Sequence, residues 1–150
     1  MRDDIFGPDG VSGTRDGGPL DSRNSTIPFT TRDGVTFAGS HLIVDLHGGT
    51  GLDDEDLIRS TLVDCVAACG ATLLHIHTHR FSPQGVSGVA VLAESHISVH
   101  TWPELGYGAF DIFMCGQTKP WNAVDVLRQR FRARDVKVRE LRRGEGTAPE

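Results

Sequence analysis

The sequence predicts an α+β chain, a two-layer sandwich whose mainly antiparallel sheet carries two helices on one face. Three observations predict it. Short apolar or alternating segments recur along most of the chain, which is the signal of strands. The connections between most of them are short. Only two stretches have helical spacing, and they lie far apart.

The first strand is HLIVDLH (41–47), ended by Gly48 and Gly49. Residues 53–69 follow as a helix, with Asp53 and Asp54 supplying an N-terminal cap and a charge matched to the helix dipole. Ile58, Leu62, Cys65, Val66 and Cys69 recur at helical spacing, and Gly70 closes the C-terminus. TLLHIHTHRF (72–81) is the next strand, SPQG a turn, and VSGVAVLAES (86–95) and HISVHTW (96–102) two further strands. Pro103 and Gly106 break the chain before YGAFDIFMC (107–115). A second helix starts near Pro120 with Val124, Leu127 and Phe131 on one face, and VKVREL (136–141) is the last strand. Residues 1–34, rich in Gly, Asp, Ser and Arg and without period, are expected to form a flexible N-terminal tail whose last part folds over the domain. That leaves residues 35–150 as a single domain, with no internal repeat.

Composition narrows the function. The 150 residues carry a mild net charge of −5, so nucleic acid is not an expected partner. No run of eighteen apolar residues is present and no apolar stretch follows basic residues at the start, so neither a membrane span nor a secretory signal is expected. Three cysteines, Cys65, Cys69 and Cys115, lack zinc-type spacing, which points to a reduced, cytoplasmic protein. Cys65 and Cys69 share a helix face and read as small core hydrophobes.

One stretch is different. ESHISVHTWPELGYGAFDIFMCG (94–116) gathers a Glu-Ser junction, two histidines and a cysteine. The strand period puts His96, Ser98, His100 and Trp102 on one face and Ile97, Val99 and Thr101 on the other. The apolar set suits the helices, which leaves the reactive set on the open face. A polar sheet face is ordinarily just solvated.

GVSGVAVLAESHISVHTWPELGYGAFDIFMCG (85–116), together with HRFSPQGVSG (79–88), closely resembles the bacterial and archaeal S-adenosylmethionine decarboxylases, pyruvoyl-dependent enzymes of polyamine synthesis. The likeness runs over roughly residues 40–142. It implies a proenzyme that cuts itself between Glu94 and Ser95. The Ser95 hydroxyl would attack the Glu94 carbonyl to give an ester; elimination and hydrolysis would then leave a covalently bound pyruvoyl group in place of Ser95. That group would form a Schiff base with the substrate amine and accept electrons as carbon dioxide leaves. The product would be the aminopropyl donor for spermidine synthesis.

The resemblance also assigns roles. His100 matches the processing base and Ser87 the serine that assists processing, while Cys115 matches the proton donor, a thiol being suited to that task. Phe81, Trp102 and Glu104 match the substrate-binding positions, two aromatics for purine and sulfonium and a carboxylate for ribose hydroxyls. A dimer of processed chain pairs, in which both protomers contribute to each site, is implied as well. Leu105 and Met114 depart from the residues usual in the family and leave the pocket's shape open.

Read without the resemblance, Cys115, Phe81 and Trp102 are ordinary core types and Ser87 a local hydroxyl. His75, His77 and His79 alternate on one strand, with His47 placed as a candidate on a neighbouring strand; a metal site built from them is the competing reading. At about 3.3 Å per residue His75 and His79 lie roughly 13 Å apart, so one ion cannot take all three and no metal site is assigned. Two alternatives stay open: the same machinery acting on arginine or ornithine, and a relative that binds a metal or ligand without cleaving.

Overall fold

Alternation along the strands decides which side the helices cover. In the computed structural model, which describes residues 29–147, Leu42, Val44 and Leu46 of strand β3 (Gly39–His47) are fully buried while the residues between them are not. The same alternation holds in β6 (Ser95–Trp102) and β7 (Tyr107–Cys115), where Ile97, Val99, Phe110 and Ile112 face the core. Helix α1 (Glu55–Ala68) lays Ile58, Leu62, Cys65 and Val66 on this face, and α2 (Trp121–Arg130) adds Ala123, Val124 and Leu127. Phe131 just beyond α2 is fully buried. Both helices lie on one side.

The sheet has six strands in the order β4-β5-β6-β7-β3-β8, with β4 Leu73–Arg80, β5 Val86–Leu92 and β8 Asp135–Arg143, and each neighbouring pair is antiparallel. The α+β sandwich expected from the sequence is the observed architecture. Strand β3 slots between β7 and β8, which brings the start of the domain beside Cys115.

Three sequence expectations change. Glu94 and Ser95 do not close β5: the strand ends at Leu92, and Ala93-Glu94 form a two-residue turn into β6. His47 is not beside the histidines of β4, because β4 is an edge strand whose neighbour is β5. The boundary expected at residue 34 falls inside ordered structure, the tail's last part folding as a hairpin against the domain. Strands β1 (Thr30–Arg32) and β2 (Val35–Phe37) form a hairpin around Asp33-Gly34, both at positive φ, as a two-residue hairpin turn favours. The rest of the expected tail, residues 1–28, lies outside the described residues.

Candidate active site

Ser95 opens strand β6 and is 8% exposed. Its hydroxyl oxygen accepts the backbone N–H of Cys115 at 3.2 Å, so the Glu-Ser junction and the cysteine meet across neighbouring strands. Glu94 has φ of +61°, a left-handed conformation that costs a non-glycine residue about 1 kcal/mol. Favoured two-residue hairpin turns carry positive φ at the first turn position, whereas here only the second has it. The peptide bond between residues 94 and 95 therefore sits in a strained turn.

Cys115 is partly buried at the end of β7, on the helix-free face with Phe113 and Asp111. Burial raises its thiol pKa, and the nearby Glu94 charge adds to the rise. The thiol is thus kept protonated, the form in which it can donate. Gly39 is its register partner, and a Cβ there would lie 2.8 Å from both the Phe113 ring and the Met114 carbonyl, so the approach of the two strands needs glycine.

The other expected residues collect at the opposite end of β6. Ser87 and His100 are register partners, and the Ser87 hydroxyl lies 2.8 Å from His100 Nδ1 in a hydrogen bond. His79 pairs with Ser87 on the other side, and its ring packs edge-on to Phe81 with centroids 4.6 Å apart. A depression of about 280 Å³ lined by His77, His79, Ser87, Ser98 and His100 opens on this face. Trp102, 40% exposed, stacks at 5.2 Å on Tyr107, which in turn stacks at 5.2 Å on His47. Glu104 is exposed on the one-turn 3-10 segment Pro103–Leu105 that follows.

So the expected residues form two groups. Glu94, Ser95 and Cys115 are together; Phe81, Ser87, His100, Trp102 and Glu104 gather towards the far end. Ser95 and His100 are five residues apart along one extended strand, about 16 Å at the usual rise. Their side chains also project to opposite faces of that strand, since five is odd. Within one chain His100 does not reach Ser95.

The helix-free face bears all seven histidines of the chain, on β3, β4 and β6. Among the described residues no group of three His, Cys, Asp or Glu is arranged to hold a metal ion, and no helix is long and apolar enough to cross a membrane. His41 is held by Asp111 at 3.0 Å rather than by other histidines.

Residues 40–144 match the S-adenosylmethionine decarboxylase family. The chain belongs to that family. It is 50% identical over 109 residues to an S-adenosylmethionine decarboxylase proenzyme of Methanococcus maripaludis, an alignment covering 71% of this chain and 89% of the relative. It is 40% identical over 109 residues to the proenzyme of Clostridium kluyveri, covering 71% and 86%. The crystal structure of the adenosylmethionine decarboxylase from Aquifex aeolicus VF5 superposes with a TM-score of 0.67 at 30% identity, covering 76% of this chain and 98% of that one.

Within this S-adenosylmethionine decarboxylase family chain, several residues that support the two groups escaped sequence reasoning. Asp53 is not the helix cap; Asp54 is, accepting the N–H of Leu57 at 3.0 Å. Asp53 instead accepts the N–H of Gly85 at 2.8 Å and pairs with Arg80, which fixes the turn carrying Phe81. Those two bonds, the Gly85 one first, hold its carboxyl below the ordinary range. Thr101 is buried, accepts the N–H of Val86 and donates to the Leu52 carbonyl, pinning the His100 end of β6 to the helix side. Tyr107 donates to Asp45 at 2.6 Å, a bond that with burial pushes the phenol up to about 12. Arg80 in the HRF element was the one visible hint of the Asp53 pairing; the others depend on register.

Proposed function

We propose that this chain is a self-processing S-adenosylmethionine decarboxylase whose Ser95 is the precursor of a pyruvoyl group and whose active sites are each assembled from two copies. The observation that carries the proposal is the contact of Ser95 Oγ with the Cys115 N–H at 3.2 Å, within the residues matched to the family. It supports the reading because the hydroxyl adjoins the bond proposed to be cut and the cysteine meets it on the neighbouring strand.

In processing, the Ser95 hydroxyl attacks the Glu94 carbonyl carbon; the peptide C–N bond breaks as the ester C–O bond forms. The left-handed φ of Glu94 supports this, because scission releases the turn that enforces it. Removal of the Ser95 Cα proton then expels the Glu94 carboxylate. His100, hydrogen-bonded to Ser87, is the base proposed for this step.

A pyruvoyl group supplies an electron sink for decarboxylation. Residue 95 fits it, being the buried first residue of a strand, so scission would leave the group at a new chain end shielded from solvent. Cys115 holds the proton that replaces carbon dioxide on the substrate carbon, and its raised pKa keeps that proton available. Phe81 and Trp102 present aromatic faces for the purine and sulfonium, and Glu104 a carboxylate for the ribose hydroxyls.

Completion from a second copy follows from the separation of the two groups. The helix-free face exposes Val91, Trp102 and Leu141 and half-buries Ile43 and Phe113, an apolar content that suits burial. Two such faces related by a two-fold axis crossing β6 near its middle would exchange the strand's ends, bringing His100 of each copy towards the main chain of Ser95 in the other, whose Cα proton it would remove. Each dimer then holds two sites. A cytoplasmic setting and a role in supplying aminopropyl groups for spermidine complete the reading.

The test has two arms. Purified protein should resolve on a denaturing gel into chains of residues 1–94 and 95–150, the second blocked at its new terminus, while Ser95→Ala stays as one chain. Carbon dioxide release from carboxyl-labelled S-adenosylmethionine, arginine and ornithine should be seen with the first alone. Release from arginine or ornithine with none from S-adenosylmethionine would overturn the substrate, and an uncut wild-type chain would overturn the whole mechanism.

A further inference from the structure

We propose that the β1–β2 hairpin is a strap that positions the Cys115 thiol, with Thr30 as its positioning residue. The proposal rests on the reading of Cys115 as the site's proton donor. The hairpin precedes the residues that match the family, so it is an addition to the matched domain, docked at the Ser95 end of the sheet.

The segment it holds ends the β3–β7 ladder, where Gly39 is the register partner of Cys115, and beyond the turn the Lys119 N–H donates to the Cys69 carbonyl at 3.0 Å. β7 ends at Cys115, and Gly116 reverses the chain at φ +66°. Three hydrogen bonds involving side chains add to that backbone pairing. The Cys115 N–H donates to Ser95 Oγ at 3.2 Å, the Cys115 carbonyl accepts Thr118 Oγ1 at 2.8 Å, and the Gly116 carbonyl accepts Thr30 Oγ1 at 3.0 Å. The first is lost once Ser95 ceases to be a serine, and the second is local to the turn. Once Ser95 is converted, Thr30 is the one of the three that ties the turn to another part of the fold.

A strap must itself be anchored, and this one is. Arg32 binds Glu140 through two nitrogens at 2.9 and 3.3 Å and donates to Ser40 at 2.9 Å. Ser40 is the register partner of Met114, one residue before the thiol. Arg142 pairs with Asp33 at 2.7 Å. Phe37, 1% exposed, lies between the guanidinium groups of Arg32 and Arg142, each 5.4 Å from its ring centre. The hairpin is thus riveted to β8 and β3, and Thr30 transmits that fixed position to Gly116.

The experiment uses the full chain with Thr30→Val, Thr30→Ser and, as a control, Thr31→Val. The control removes the Thr31–Thr36 hydroxyl contact within the hairpin and touches nothing at Gly116. Cys65 and Cys69 are 0% and 2% exposed, so iodoacetamide under native conditions reads Cys115, with peptide mapping to confirm it. Thr30→Val should be alkylated faster by on the order of threefold to tenfold, the factor that one neutral hydrogen bond is worth. Its kcat should fall by a similar factor with KM unchanged, and Thr30→Ser should restore both. Alkylation of Thr30→Val at the wild-type rate would overturn the strap. So would the same acceleration in Thr31→Val, which would mean general loosening, or a change confined to KM. If wild-type protein does not decarboxylate at all, the functional reading fails, while the alkylation comparison still decides the strap.

Discussion

Mixing two inactive variants tests whether one site draws on two chains. Ser95→Ala lacks the attacking hydroxyl and His100→Ala lacks the base, so neither alone should mature. The distance of about 16 Å along β6 excludes help within a chain, because general-base chemistry needs contact near 3 Å. In a mixed dimer, however, the intact Ser95 of the His100→Ala chain meets the intact His100 of the Ser95→Ala chain. With equal amounts and random pairing, about half of all dimers are mixed and each has one competent site, so maturation should reach about half of the His100→Ala chains, a quarter of all chains. Co-expression with distinguishable tags, followed by mass spectrometry of the 95–150 fragment, reads that fraction directly, and specific activity should recover to about a quarter of wild type. Mixed dimers that form but stay uncut would refute the shared site, as would normal self-cleavage of His100→Ala alone.

Three further outcomes follow. Cys115→Ala should still cut itself but lose turnover by on the order of a hundredfold or more, the usual contribution of a positioned acid; unchanged turnover would remove the thiol from the reaction. Glu104→Gln should weaken use of S-adenosylmethionine by about 1–3 kcal/mol in kcat/KM while self-cleavage remains, and Phe81→Ala should act in the same direction; equal loss of maturation would mark both as structural. Glu140 gives a pH dependence. Burial pushes its carboxyl up, but the bonds from Arg32 and Ser40 outweigh this and hold it low. A depressed folded-state value stabilises above the ordinary glutamate range near about 4.3, and the contribution is lost as pH falls through the folded value. Arg32→Ala should therefore lower Tm at neutral pH, by the equivalent of about 1 kcal/mol or less given its partial exposure, with the gap closing in acid. A gap that persists unchanged in acid would assign the loss to Phe37 packing instead.

Period and composition carried the fold because one face of the sheet is covered and the other is not. Ile97, Val99 and Thr101 are buried while His96, His100 and Trp102 are exposed, and that contrast is written in the order of residues. What depends on strand order was not legible. The contact of Ser95 with Cys115 needs β6 and β7 as neighbours in one particular register, and the placing of His47 failed for the same reason. Asp53 looked like a helix cap because local spacing says so; its bond to Gly85 spans 32 residues. The hairpin was missed because Thr30–Phe37 has few apolar residues, and its Asp33-Gly34 turn stands in a run already rich in such pairs.

The sequence motif conceals the distance that the fold reveals. ESHISVH reads as one compact constellation, yet an extended strand spaces its Ser and its second His too far apart to act on each other. Under the proposed two-fold arrangement this is what a symmetric enzyme requires: one strand offers its first residue to one site and its sixth to the other, so a single β6 serves both. An isolated chain then has the strained bond and the nucleophile but no base. Maturation would wait for pairing, and the initial rate of self-cleavage should rise with protein concentration below the dimer dissociation constant and level off above it. A rate independent of concentration through that range, measured on freshly refolded uncut chain, would return the base to the same molecule as the serine and require β6 to be other than a straight strand.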